Sequence, residues 1–110
     1  MTDHRLDVLA ALADEIAVRA TASPETSYTG KLLSQGVEKC AKKFGEEAVE
    51  LALASVLRDT THTTAEAADV LYHLIVLLTA SGVKLNDVMA ELARRQGVSG
   101  IAEKASRRKD

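Results

Sequence analysis

Leu6, Leu9, Leu12, Ala13 and Ile16 recur at the spacing of one helix face and predict an amphipathic helix from about Thr2 to Ala20. The segment TASPETS that follows gathers hydroxyl side chains and the only proline, which reads as a loop ending in an N-cap at Ser27 or Thr29. Helical pattern resumes at Lys31-Leu32-Leu33, Gly36 marks a break, and a long helix runs from about Val37 to Leu57. RDTTHTT (58–64) is a short polar connection. The next helix spans about Thr64 to Ala80 and stops before SGVKLND, where Gly82 suits a C-terminal cap. A further helix covers Asn86 or Asp87 to Arg95, QGVSG breaks it, and IAEKASRRKD forms a short basic tail of helical character. Nothing alternates at period two for long enough to be a strand. The pattern predicts an all-α fold in a single domain, 1–110, with 98–110 as a basic tail and the two central helices antiparallel across their short connection.

Composition narrows this picture. Aromatic residues make up 3% of the 110, with no Trp, so the core must be built from Leu, Val, Ile and Ala, which suits closely packed helices better than a sandwich of sheets. A formal net charge of -2 argues against a nucleic-acid-binding surface spread over the whole molecule. The single Cys40 cannot form an internal disulfide. The N-terminus lacks the apolar run of a signal peptide, and the longest apolar stretch, Val70 to Ala80, is too short to span a bilayer. A cytoplasmic protein without a membrane partner is expected.

The acidic residues raise the chemical question. At about 100° per residue, Lys39, Lys43, Glu46, Glu47 and Glu50 share one stripe of the third helix, which continues into Leu53 and Leu57. Glu66, Asp69 and His73 likewise share a stripe of the next helix that runs into Val76 and Leu77. The pairs Glu47/Glu50 and Glu66/Asp69 are each spaced i, i+3, so both members reach one point. Antiparallel packing brings up to five acids together, and like charges about 4 Å apart repel by roughly 4 kcal/mol at an effective dielectric near 20. Cations must compensate, or some acids must be protonated. Clustered carboxylates without thiolates are hard oxygen donors that suit Mg²⁺, with Mn²⁺ as a substitute. Two plainer readings compete: solvated surface charge, and a Thr63-x-x-Glu66 capping box that makes Glu66 structural. Two acidic runs on adjacent helices beside apolar stripes favour the metal site over either.

The runs EEAVE (46–50) and EAAD (66–69) resemble the EExxE…ExxD signature of the all-α nucleoside triphosphate pyrophosphohydrolases, the MazG-like superfamily. SYTGKLL (27–33), EKCAKKFGEEAVEL (38–51), EAADVLYHLIVLL (66–78), LNDVMAELARR (85–95) and SGIAEKASR (99–107) narrow the resemblance to the phosphoribosyl-ATP pyrophosphatase family. Gly30 departs mildly from the pattern, standing where a better helix former such as alanine is expected. The resemblance implies an antiparallel helical bundle completed in a homodimer. It also implies Mg²⁺-dependent hydrolysis of phosphoribosyl-ATP to phosphoribosyl-AMP and pyrophosphate, the second step of histidine biosynthesis. Carried onto this chain, it makes Glu47, Glu50, Glu66 and Asp69 the metal ligands. Glu46 becomes the candidate for polarising the attacking water or holding a ligand in place, so that Glu46, Glu47 and Glu50 form the catalytic set.

Lys39 and Lys43 are candidates for substrate phosphate contacts, with Lys31, Arg94, Arg95 and Lys104 as further candidates for the phosphoribosyl phosphate. Lys42 reads equally well as a solvated charge balancing the glutamates. His73, i+4 from Asp69, is either a packed core histidine or a partner of the acids, and Cys40 reads as a small buried hydrophobe. Leu74 to Leu78 is apolar nearly all round, which favours a dimer core. Rival readings are a house-cleaning hydrolase of simple nucleotides with the same acids, and a non-catalytic helical assembly module. A carboxylate-bridged di-iron bundle lacks its Glu-x-x-His pairs.

Overall fold

A computed structural model describes residues 4–97 and 100–107, apart from the side chains of residues 102 and 103. They form six helices: α1 (Asp7–Arg19), α2 (Tyr28–Ser34), α3 (Val37–Val56), α4 (Thr60–Ala80), α5 (Leu85–Arg95) and α6 (Gly100–Arg107). No strand occurs among the described residues, as the all-α reading requires. The first helix, expected from about Thr2, begins only at Asp7 after a turn at Arg5 and Leu6, while Thr2 itself lies outside the described residues.

Local chemistry explains most of the boundaries. Ser27 takes extended backbone and its Oγ accepts from the Gly30 N–H at 3.0 Å, so it, and not Thr29, is the N-cap of α2. Gly36 has φ +92°, a left-handed conformation that lets the chain turn from α2 into α3 without penalty. At the end of α4, Gly82 has φ +76°, and the Val83 and Gly82 N–H groups donate to Leu78 and Thr79 carbonyls at 2.9 and 3.2 Å. That is a Schellman closure of the last turn.

Two expectations are corrected. The capping box at Thr63 does not form. α4 begins four residues earlier than expected, with Asp59 as N-cap accepting from the His62 N–H at 3.0 Å, so Thr63 lies inside the helix and Glu66 is released from any capping duty. The connection is only Leu57 to Asp59, and Arg58 makes the reversal with φ +58°. With this earlier start α4 is 21 residues, the one described helix long and apolar enough to cross a membrane. Here it packs against α1, α2 and α3 and supplies the buried His73, Ile75 and Val76.

Gly30 is the second correction. A Cβ built there would lie 2.7 Å from the Ala22 carbonyl oxygen, so the position favours glycine for close approach of the preceding loop, despite alanine's higher helix propensity.

The core lies where α1, α2, the first half of α3 and the second half of α4 meet. Ile16, Leu32, Cys40, Ile75 and Val76 are buried there, with Leu9, Leu12, Leu77 and Leu85 packed around them. Cys40 is a small interior hydrophobe, as expected, its Sγ 3.3 Å from the Leu32 carbonyl oxygen, and burial pushes its thiol pKa up. The other end of the α3–α4 pair is barer. Val49, Leu53, Val56 and Leu57 form an apolar stripe at i, i+4, i+7 and i+8 along α3 and its C-cap, with Leu53 61% and Val56 77% exposed in the single chain.

Candidate active site

α3 and α4 run antiparallel, and the neighbours across them show it. His73 faces Lys43 and Glu47, the Glu47 carboxylate meets Asp69 and Glu66, and Glu50 lies beside Glu66. Helix periodicity puts Lys43, Glu47 and Glu50 on the side of α3 that meets α4, and Glu66, Asp69 and His73 on the matching side of α4.

One carboxylate oxygen from each of Glu47, Glu66 and Asp69 lies within 4.8 Å of the others, a spacing at which a single cation touches all three. The side chains of Glu47 and Glu66 are only 13% exposed, while Asp69 stands at the solvent edge. Glu66 Oε1 accepts from His62 Nε2 at 3.1 Å, but Glu66 Oε2 is buried without a hydrogen-bond partner. A buried carboxylate oxygen left unpaired is costly, and a bound cation would satisfy it. The all-oxygen donor set fits a hard divalent ion. Repulsion from the Glu47 carboxylate, then direct contact with it, then the Glu66 charge hold the Glu50 carboxyl above its ordinary pKa. The sequence allows up to five converging acids. The structure gathers three, sets Glu50 beside them, and turns Glu46 towards a different feature.

That feature is a cavity of about 330 Å³ between α2 and α3, lined by Lys31, Lys39, Lys42 and Lys43 together with Tyr28 and Glu46. Four ammonium groups against one carboxylate make it an anion-attracting recess. Among the described residues, Lys31, Lys39 and Lys42 have no carboxylate at ion-pair distance; Lys43 Nζ lies 3.5 Å from Glu47 Oε1. Lys43 therefore joins the basic recess to the acidic cluster, and its pKa is raised, first by the Tyr28 phenol and then by Glu47.

Of the basic candidates, Lys31, Lys39 and Lys43 are thus brought together. Arg94, Arg95 and Lys104 are not among the residues lining the recess: both arginines, on α5, bind Glu91 at 2.7 and 3.0 Å, which holds that carboxyl down to about 2, and Lys104 is exposed on α6. Lys42, which reads from sequence equally well as a phosphate contact or a balancing charge, also lines the recess. Tyr28 is a residue that sequence reasoning left without a role. It stacks on Tyr72 at 6.4 Å and meets His73 edge-on at 6.5 Å. Tyr72 in turn shares a 2.5 Å hydrogen bond with Thr29. His73 is packed rather than solvent-facing: burial, then Lys43, lower its pKa against the opposing pull of Glu47 and Asp69, which disfavours the charged ring.

Comparison with known proteins gives the same direction. A family model described as phosphoribosyl-ATP pyrophosphohydrolase matches residues 9–96. A protein of Methylobacterium radiotolerans named phosphoribosyl-ATP pyrophosphatase is 62% identical over 98% of this chain and 98% of its own. One of the same name from Dinoroseobacter shibae is 58% identical over 93% of this chain and its full length. A third, from Ruegeria pomeroyi, is 54% identical over 94% of the chain and 99% of its own. With the acidic trio and the lysine recess side by side on an all-α frame, and a match of this extent, the chain belongs to the phosphoribosyl-ATP pyrophosphohydrolase family.

Proposed function

We propose that this chain hydrolyses phosphoribosyl-ATP to phosphoribosyl-AMP and pyrophosphate as a step of histidine biosynthesis in the cytoplasm, using Mg²⁺ and acting as a homodimer. The observation that carries the reading is the junction at Lys43, where a pocket built for phosphate meets carboxylates built for a divalent cation.

Glu47, Glu66 and Asp69 would hold the ion, with Glu50 as a fourth oxygen donor beside them. The chemistry it supplies when bound is neutralisation of the phosphate oxygens and acidification of the attacking water. The chain's own residues do the rest. Lys31, Lys39, Lys42 and Lys43 orient the polyphosphate by charge-assisted hydrogen bonds, and helices hold these donors more firmly than loops would. Glu46, which lines the same recess, would take a proton from water aligned with a phosphate seated there. Arg94, Arg95 and Lys104 remain candidates for the outlying phosphoribosyl phosphate, reached across a dimer.

The bare α3 stripe supports that dimer. Val49, Leu53, Val56 and Leu57 expose apolar area at the solvent edge of the central helix pair, which a second copy would cover.

Release of pyrophosphate from phosphoribosyl-ATP, compared with a panel of dNTPs with and without Mg²⁺, tests the assignment. The expected result is Mg²⁺-dependent turnover with phosphoribosyl-ATP preferred. Faster turnover of a simple dNTP would move the chain to house-cleaning chemistry, and activity indifferent to Mg²⁺ would remove the metal from the account. In the same assay Lys39→Met should raise KM roughly tenfold or more, the loss of one hydrogen bond to a charged group.

A further inference from the structure

His62, on the first turn of α4, belongs neither to the acidic trio nor to the lysine recess, yet its ring touches the acidic cluster. Nε2 lies 3.1 Å from Glu66 Oε1. A carboxylate can only accept, so the hydrogen sits on Nε2 and the histidine donates. The two oxygens of Glu66 are therefore in different situations: Oε1 is engaged by His62, and Oε2 is buried without a hydrogen-bond partner, while one oxygen of this carboxylate lies within 4.8 Å of oxygens of Glu47 and Asp69. The backbone of His62 is itself fixed, because its N–H is the one capped by Asp59. A chain of contacts thus runs from the Asp59 cap through the His62 ring to the outer oxygen of Glu66.

We infer that His62 is a positioning residue for the cation site, orienting the Glu66 carboxylate so that Oε2 faces the ion. This rests on the metal-binding reading above. Among the described residues, the hydrogen bond that His62 donates from four residues earlier on the same helix is the one that fixes the Glu66 carboxylate when it is ionised, since the neighbouring Glu50 carboxylate can only repel it, and without that donor the carboxylate would be freer to turn away from Glu47 and Asp69. Such outer partners of metal ligands typically set metal affinity by about 10- to 100-fold. The ring is 54% exposed on its side chain, so removing it opens no cavity and leaves the fold intact.

The test is Mn²⁺ binding by titration calorimetry on the full chain without substrate, for wild type, His62→Ala and His62→Gln. Glutamine keeps an N–H donor at similar reach. The expected pattern is Mn²⁺ affinity at least fivefold weaker in His62→Ala, with most of it restored in His62→Gln, and metal-free thermal midpoints equal across the three. Equal affinity in wild type and His62→Ala, or a His62→Gln variant as weak as His62→Ala, would overturn the assignment. Failure of the wild type itself to bind Mn²⁺ would instead strike the metal site as a whole, together with this inference.

Discussion

Glu66→Gln lowers turnover of phosphoribosyl-ATP by about 1,000-fold or more and at the same time raises the thermal midpoint of the metal-free protein. The first effect follows from removing a charged donor from a cation site that supplies several kcal/mol of transition-state stabilisation, each 1.4 kcal/mol being about tenfold in rate. The second follows from electrostatics. Oxygens of Glu47 and Glu66 lie within 4.8 Å, where two charges repel by roughly 3 kcal/mol at an effective dielectric near 20, and a neutral amide of the same shape relieves this. Part of that gain is lost to solvent screening, so an increase of about 2–5 °C is expected for a domain of this size. Mg²⁺ should stabilise wild type and not the variant: at ten times its dissociation constant the ion contributes about 1.4 kcal/mol by mass action. Such a site is destabilising until filled, a common relation between function and stability. A variant that loses activity and also melts earlier in the metal-free state would show Glu66 to be structural.

Leu53→Glu is expected to abolish the proposed homodimer. In the single chain Leu53 is 61% exposed and sits in the middle of the stripe formed by Val49, Val56 and Leu57. A carboxylate at the centre of an apolar face covered by a second copy would lose its hydration without gaining a partner. Sedimentation velocity at micromolar concentration should show the wild type at twice the chain mass and the variant at one. The thermal midpoint should drop by about 5 °C or more, since apolar burial between chains is lost. An unchanged sedimentation coefficient would place the interface elsewhere.

How far the sequence could be read depended on the range of each interaction. Helix boundaries set by local chemistry were legible: Ser27 as a cap, Gly36 as the turn into α3 and Gly82 as the end of α4 all act through backbone within a few residues. The start of α4 was not. TTHTT is rich in β-branched threonine and resembled a linker, and Asp59 as a cap outweighed that propensity. Gly30 was unreadable in principle, because its reason is a carbonyl eight residues earlier that folds back onto it. For the site, the i, i+3 spacing located the acids, but only the register between α3 and α4 decides that Glu47 joins Glu66 and Asp69 while Glu46 looks towards lysines. Lys42 and Tyr28 line the recess together only because α2 and α3 pack against each other, a tertiary contact that no helical period encodes. His62 did carry a signal, its i, i+4 distance from Glu66, which was hidden by the misplaced start of the helix.

If α3 and α4 aim their carboxylates at one divalent ion, that ion should be visible between them. Anomalous diffraction at the manganese edge, from crystals grown with Mn²⁺, tests it most directly. A peak is expected about 2 Å from oxygens of Glu47, Glu66 and Asp69, the distance of a hard cation to its donors. Those three carboxylates turned outward or paired with lysines, with no manganese peak between α3 and α4, would contradict it.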